Sequence, residues 1–136
     1  MTDEDIALVR ESFAHLHRRK NETAEIFYAR LFKIAPEVRP MFKGDSAAQR
    51  TKLMETLTVA IATLRDPKGF GALLGKLGRN HHGYGVQERH FDDVGKALIW
   101  TLRTSLGPAF TPELERAWLS LYDEMASIMI AAGRAA

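Results

Sequence analysis

Apolar residues recur at intervals of three and four along almost the whole chain, and clusters of Gly, Pro, Asp and Ser break that pattern into segments. Nothing alternates at two, as a half-buried strand would. Thr2, with Asp5 three residues on, predicts a capped helix start, and Ile6, Val9, Phe13 and Leu16 follow as one stripe. The polar run HRRKNE interrupts it. A second helix carries Ala24, Phe27, Tyr28, Leu31 and Ile34 and must end near Pro36, whose ring does not fit inside a helix. Pro36 to Phe42 holds two prolines and predicts a tight turn before a loop at Gly44. Asp45 or Ser46 can cap a third helix, striped by Leu53, Leu57, Ile61 and Leu64. Asp66-Pro67 opens a turn; Phe70, Leu74, Leu77 and His81 then share one helical face until Gly83 and Gly85 stop the helix. A fifth helix starts near Glu88, places Phe91, Val94, Leu98, Leu102 and Ser105 on one face, and ends at Gly107-Pro108. Thr111-Pro112 starts the last, striped by Leu114, Trp118, Leu121, Met125, Ile128 and Met129. The pattern predicts an all-α chain of six main helices around one core, with no internal repeat and no linker.

Composition narrows what that core can do. The chain has 136 residues, 46% hydrophobic and 26% charged. That suits one domain, and domains of this size bury roughly two-thirds of their unfolded surface. The absence of cysteine excludes disulfides, thiolate metal sites and cysteine nucleophiles, so a metal would need His, carboxylate, Met or Tyr. The net charge of +2 comes from acidic and basic residues interspersed along the chain. No block of Lys and Arg points to nucleic acid or an anionic membrane. The acidic, amphipathic start MTDEDIALVRESF does not read as a signal peptide, and no apolar run approaches the ~20 residues of a membrane span. The expectation is a soluble cytoplasmic protein.

Two polar residues interrupt apolar faces. His81 continues the Phe70–Leu74–Leu77 stripe, and Gln49 lies one turn before Leu53. Burying such groups costs about 1–3 kcal/mol each unless they are paired. Taken singly, each has an ordinary explanation: a satisfied core histidine, a half-exposed glutamine, and, for Tyr28 beside Phe27, a core aromatic with its hydroxyl at the surface.

Their order along the chain carries more. From Tyr28 through Phe42, Gln49 and Leu53 to His81, the sequence resembles globins without a gap, particularly single-domain bacterial haemoglobins and the globin part of flavohaemoglobins. The segments concerned are FYARLF, PEVRPMF, QRTKLM, LGRNHHGYGV and LGPAFTPELERAWLSLY; the last two are also similar to neuroglobins. The resemblance runs from about Ile6 to Ile130. It implies a globin fold of six to seven helices packed around one haem pocket, with residues 1–136 as a single globin domain.

The resemblance implies haem b, iron protoporphyrin IX, held by His81 as the proximal iron ligand, with the Leu77 carbonyl orienting the other ring nitrogen, helped by Asn80. His82 lies about 100° around the helix and off that face. His90, His15 and His17 are expected at the surface. Phe42 matches the aromatic that packs on the porphyrin. Leu53 and Leu57 would form a distal wall, Val86 and Phe91 a proximal one, and Leu98 the floor. Lys52 or Arg79 could pair with a haem propionate. Gln49 takes the place of the distal histidine, and Tyr28 the distal tyrosine position of bacterial globins; with Leu53 they would form the ligand pocket. A phenol O–H and an amide N–H could each stabilise bound oxygen by about 1–3 kcal/mol. Carbon monoxide gains less, and a Gln leaves the sixth iron position open more readily than a His. The chain departs from flavohaemoglobins where they carry a proximal Tyr and Glu: Phe91 and Gly133 stand at the matching positions.

Reversible binding of oxygen, with nitric oxide and carbon monoxide as further ligands, is the function this implies. A nitric oxide dioxygenase fed by an external reductase is the second reading, and a gas sensor or haem-free helical module the third. The expected state is a monomer or weak homodimer.

Overall fold

The computed structural model describes residues 1–42 and 46–136, so the expected loop at Gly44 and the alternative cap Asp45 lie outside the described residues. Among the described residues six α-helices follow one another: α1 (Asp3–His17), α2 (Lys20–Ile34), α3 (Ser46–Ala62), α4 (Pro67–Gly83), α5 (Glu88–Leu106) and α6 (Pro112–Arg134). Two short 3-10 segments, Pro36–Met41 and Gly107–Ala109, occupy the proline-bearing corners, and no strand occurs among the described residues.

Local chemistry sets the helix ends. Thr2 accepts from the Asp5 amide while the Asp5 carboxylate accepts from the Thr2 amide, a reciprocal cap. Thr111 accepts from the Leu114 amide and Asp66 from the Gly69 amide, each followed by a proline that gives up no needed N–H. After α4 the chain reverses through Gly85, whose φ of +88° lies in the left-handed region that favours glycine.

The core forms where the stripes meet. Val9, Phe13, Leu74, Leu102, Trp118 and Leu121 pack as one cluster, and Phe27, Leu31, Ala35, Val38 and Ala97 as a second; Leu53 and Leu98 bridge the two. Trp118 is buried whole because its indole N–H donates to the Ser12 hydroxyl at 2.9 Å, and that hydroxyl donates to the carbonyls of Leu8 and Val9. Ser105, expected on the inner face of α5, is exposed instead.

Two helix pairs make the broadest contacts, α4 with α6 and α2 with α5. The first depends on Gly78: a Cβ there would lie 2.3 Å from the Met129 carbonyl oxygen, so only glycine lets the two backbones approach this closely. These pairs flank the cavity in which the candidate chemistry sits.

Candidate functional site

His81 stands in the last turn of α4, on the face that buries Phe70 and Leu74. Its Nδ1 donates to the Leu77 carbonyl at 2.6 Å, the acceptor expected one turn back. With the ring proton held there, the Nε2 lone pair is free to bind a metal. The reversal after α4 is tied to the same residue, since the amides of Tyr84 and Val86 both donate to the His81 carbonyl at 3.1 Å. His82, one position on, is exposed and lines a separate cleft with Gly78, Gly133 and Arg134.

His81 opens onto a cavity of about 160 Å³ with almost wholly apolar walls. Leu53 and Leu57 come to it from α3, Leu77 from α4, Val86 from the reversal, and Phe91 and Leu98 from α5. These are the apolar wall and floor residues expected from sequence, with one exception. Phe42 instead packs against Tyr28 and Phe32, at ring-centroid distances of 5.3 and 5.4 Å.

Tyr28 is therefore set in an aromatic cluster, with Phe27 at 5.1 Å and Phe32 at 5.8 Å as well. Its hydroxyl donates to the main-chain carbonyl of Gln49 at 3.5 Å, which joins α2 to the start of α3. Burial pushes the phenol up to about 12. Gln49 is half-buried and Lys52 exposed. The structure thus brings Tyr28, Phe42 and the Gln49 backbone together, beside the cavity rather than among the residues that line it; Leu53 packs against both core clusters.

Two further cavity residues were hidden in the sequence. His90, expected at the surface with His15 and His17, is only 2% exposed, while the other two are exposed as expected. The correction has a physical cause. His90 is the third residue of α5, its Nδ1 accepts from the Gln87 amide at 2.9 Å, and this capping bond turns the ring inward. Its polar neighbours Glu88 and Arg89 masked that, although a ring acceptor three residues after a helix cap was a readable signal. Its Nε2 is buried with no hydrogen-bond partner. Tyr122 lies one residue beyond Leu121 on the α6 stripe, lines the cavity, and donates its hydroxyl to the Phe91 carbonyl. Burial, and then Asp92, Asp123 and Asp93, push its phenol up. At Gly133, a Cβ would sit 3.4 Å from the His82 Cβ, so this position borders His82.

Among the described residues no group of three or more His, Cys, Asp or Glu could hold a bare metal ion. One oriented imidazole on an apolar cavity fits a metal that arrives with its own donors in a flat organic ring. Among the described residues no helix is long and apolar enough to cross a membrane.

Comparison with known proteins bears on the family and the fold. The family model for globins matches residues 25–129. Neuroglobin of Danio rerio is 31% identical over 143 residues, spanning 95% of this chain and 90% of that one. The fold is similar to that of a bacterial globin from Campylobacter jejuni, with a TM-score of 0.86, 23% identity and coverage of 98% and 97%. It is also similar to an engineered carbene transferase from Rhodothermus marinus, described as a putative nitric oxide dioxygenase, with a TM-score of 0.87, 25% identity and coverage of 99% and 94%. The chain belongs to the globin family, and is a haem-binding, gas-binding protein of all-α globin fold.

Proposed function

We propose that this globin binds oxygen reversibly on haem b, with nitric oxide and carbon monoxide as competing ligands. The observation that carries the reading is the oriented imidazole of His81 at the wall of an apolar cavity. When bound, haem supplies an iron able to take a diatomic gas. His81 Nε2 holds that iron, and the Leu77 carbonyl keeps the ring in the ligating tautomer. Leu53, Leu57, Leu77, Val86, Phe91 and Leu98 line the cavity and would exclude water from the ring; Phe42 stands outside that lining against Tyr28 and Phe32, and the exposed Lys52 would be free to pair with a haem carboxylate.

Tyr28 and Gln49 act on the gas. With its phenol pushed up to about 12, Tyr28 keeps its proton at neutral pH and stays a donor. Its 3.5 Å bond to the Gln49 carbonyl is at the long limit of a hydrogen bond, so little is lost when the hydroxyl turns to a better acceptor. The Gln49 amide supplies a second donor. Two donors favour oxygen, which gathers negative charge, over carbon monoxide, which gathers less. Absorption spectra of the ferric, ferrous, oxygenated and carbonmonoxy forms test this reading; failure to form a stable oxygenated species would overturn it.

The description of the Rhodothermus marinus neighbour favours a second reading, nitric oxide dioxygenation. Nitric oxide and oxygen would combine to nitrate with one electron per turnover from an external reductase. The same two distal donors serve it. Nitrate formed in step with electrons from an added reductase supports it, and oxygen binding without turnover overturns it.

A further inference from the structure

Tyr84 is the aromatic residue beside the site that the gas-binding reading leaves unused. It caps α4 three residues after His81, and its ring centroid lies 6.4 Å from that of the His81 imidazole, with the planes at 60°. Main-chain bonds hold it there, since its amide donates to the carbonyls of Asn80 and His81. Its side chain is nonetheless open: Tyr84 is 64% exposed, and its hydroxyl has no hydrogen-bond partner among the described residues. An exposed tyrosine is ordinary on a protein surface. One whose ring is held beside a metal-ligating imidazole is not.

The other side chains able to give up a single electron are placed differently. Tyr28 and Tyr122 are half-buried and donate their hydroxyls to main-chain carbonyls, which are too weakly basic to take the proton. Trp118 is buried whole, with its N–H donated to Ser12. Trp100 is exposed, but the Arg30 guanidinium lies 3.9 Å over its ring, and that positive charge opposes loss of an electron. The chain has no cysteine. Among the described residues Tyr84 alone combines closeness to the iron ligand with a hydroxyl open to water, which can carry its proton away.

Building on the haem reading, we propose that Tyr84 is a surface relay through which the haem-loaded protein oxidises small phenolic reductants with hydrogen peroxide. Bound haem supplies the one-electron chemistry. Hydrogen peroxide takes up two electrons and two protons, its O–O bond breaks, and it leaves as two waters. The electrons come one at a time from the Tyr84 ring by way of the adjacent imidazole, and each time the hydroxyl proton passes to solvent and so to the peroxide oxygens. A phenol at the exposed ring returns one hydrogen atom to the Tyr84 phenoxyl and leaves as its own radical. Two such turns consume one peroxide and two phenols. Without a reductant, the phenoxyls of two protein molecules join through ring carbons, and the hydrogens those carbons give up restore the two hydroxyls.

The test treats the full chain, loaded with ferric haem, with hydrogen peroxide, and uses guaiacol as the phenol. Without guaiacol, dityrosine fluorescence should appear, and mass spectrometry of the tryptic digest should find the peptide 80–89, which holds Tyr84, linked to itself. A nitroso or nitrone spin trap should mark the same peptide. Guaiacol should suppress both products while it is oxidised. Tyr84→Phe should lose the cross-link and slow guaiacol oxidation, with the Soret band and the carbonmonoxy spectrum unchanged. The chain loaded with zinc protoporphyrin should show neither product. Trap adducts confined to Tyr28, Tyr122 or a tryptophan would overturn the inference, as would guaiacol oxidation at the same rate in Tyr84→Phe or equal cross-linking of the zinc-loaded chain. The trap reads the wild-type protein, so it decides the matter even where the variant does not fold. Failure to bind haem at all would overturn this inference together with the haem reading, whereas a normal Soret band with Tyr84 left unmarked overturns this inference alone.

Discussion

The proximal and distal sides of the cavity are built by different means. On the proximal side, one helix does nearly everything: α4 orients His81 through its own backbone, and the chain after it folds back onto the His81 carbonyl. Gly78 clamps that helix against α6 at a distance only glycine permits. On the distal side, Tyr28 of α2 reaches the main chain of α3 through one long hydrogen bond, and aromatic packing supplies the rest of its placement. A ligand that must stay bound through every cycle calls for the first kind of construction. On the proposed reading, a donor that turns toward a gas and releases it is better served by the second.

Removing the proximal anchor should break the comparison most completely. His81→Ala is expected to lose haem or hold it only with added imidazole, while His82→Ala keeps a normal Soret spectrum; the reverse result would move the iron ligand to the other cleft. Next in size are the distal donors. Tyr28→Phe should speed oxygen dissociation about ten- to hundredfold, the equivalent of a charge-assisted bond of about 1.5–3 kcal/mol, and Gln49→Leu somewhat less. Carbon monoxide dissociation should change little in either. Stopped-flow measurements read both rates, and unchanged oxygen off-rates in the single and double variants would remove the distal donors from the account.

The clamp tests rigidity directly. Gly78→Ala gains about 1 kcal/mol of helix propensity but drives a methyl into the Met129 backbone, and overpacking of that kind costs about 1–3 kcal/mol. Because the obstruction is main chain and cannot rotate away, the clash should win. We expect a lower thermal midpoint, with faster haem loss as α4 shifts; an unchanged midpoint would show the α4–α6 contact to be adjustable.

The smallest effect concerns pH. Tyr28 has a raised pKa in the fold, to about 12, against an unfolded value of about 10. Between those values the unfolded chain has given up a proton that the native state keeps, so stability contributed by the buried phenol is complete below about pH 10 and falls as pH rises toward 12. Denaturant midpoints should decline more steeply through that window in the wild type than in Tyr28→Phe. Parallel declines would mean the hydroxyl is better solvated than its cluster suggests.

Helix positions were legible because they follow from local rules: caps at Thr2 and Thr111, prolines at the corners, stripes at three and four. His81 was legible for the same reason. Its face, its spacing from Leu77 and its acceptor all lie within one helix, so the sequence by itself determined the proximal geometry. The distal side was legible only as a resemblance, since Tyr28 and Gln49 belong to helices whose crossing no local rule specifies. Tyr122 was not legible, and His90 carried only one local signal, its place three residues after a helix cap. Whether a residue beside charged neighbours turns inward depends on which helix passes over it, and only tertiary packing decided that His90 would be buried in the cavity and that Tyr122 would reach the Phe91 carbonyl. Periodicity records which face of a helix is apolar, but burial of a polar ring at the edge of that face depends on contacts between segments distant in the chain, and those exist only once the helices have packed.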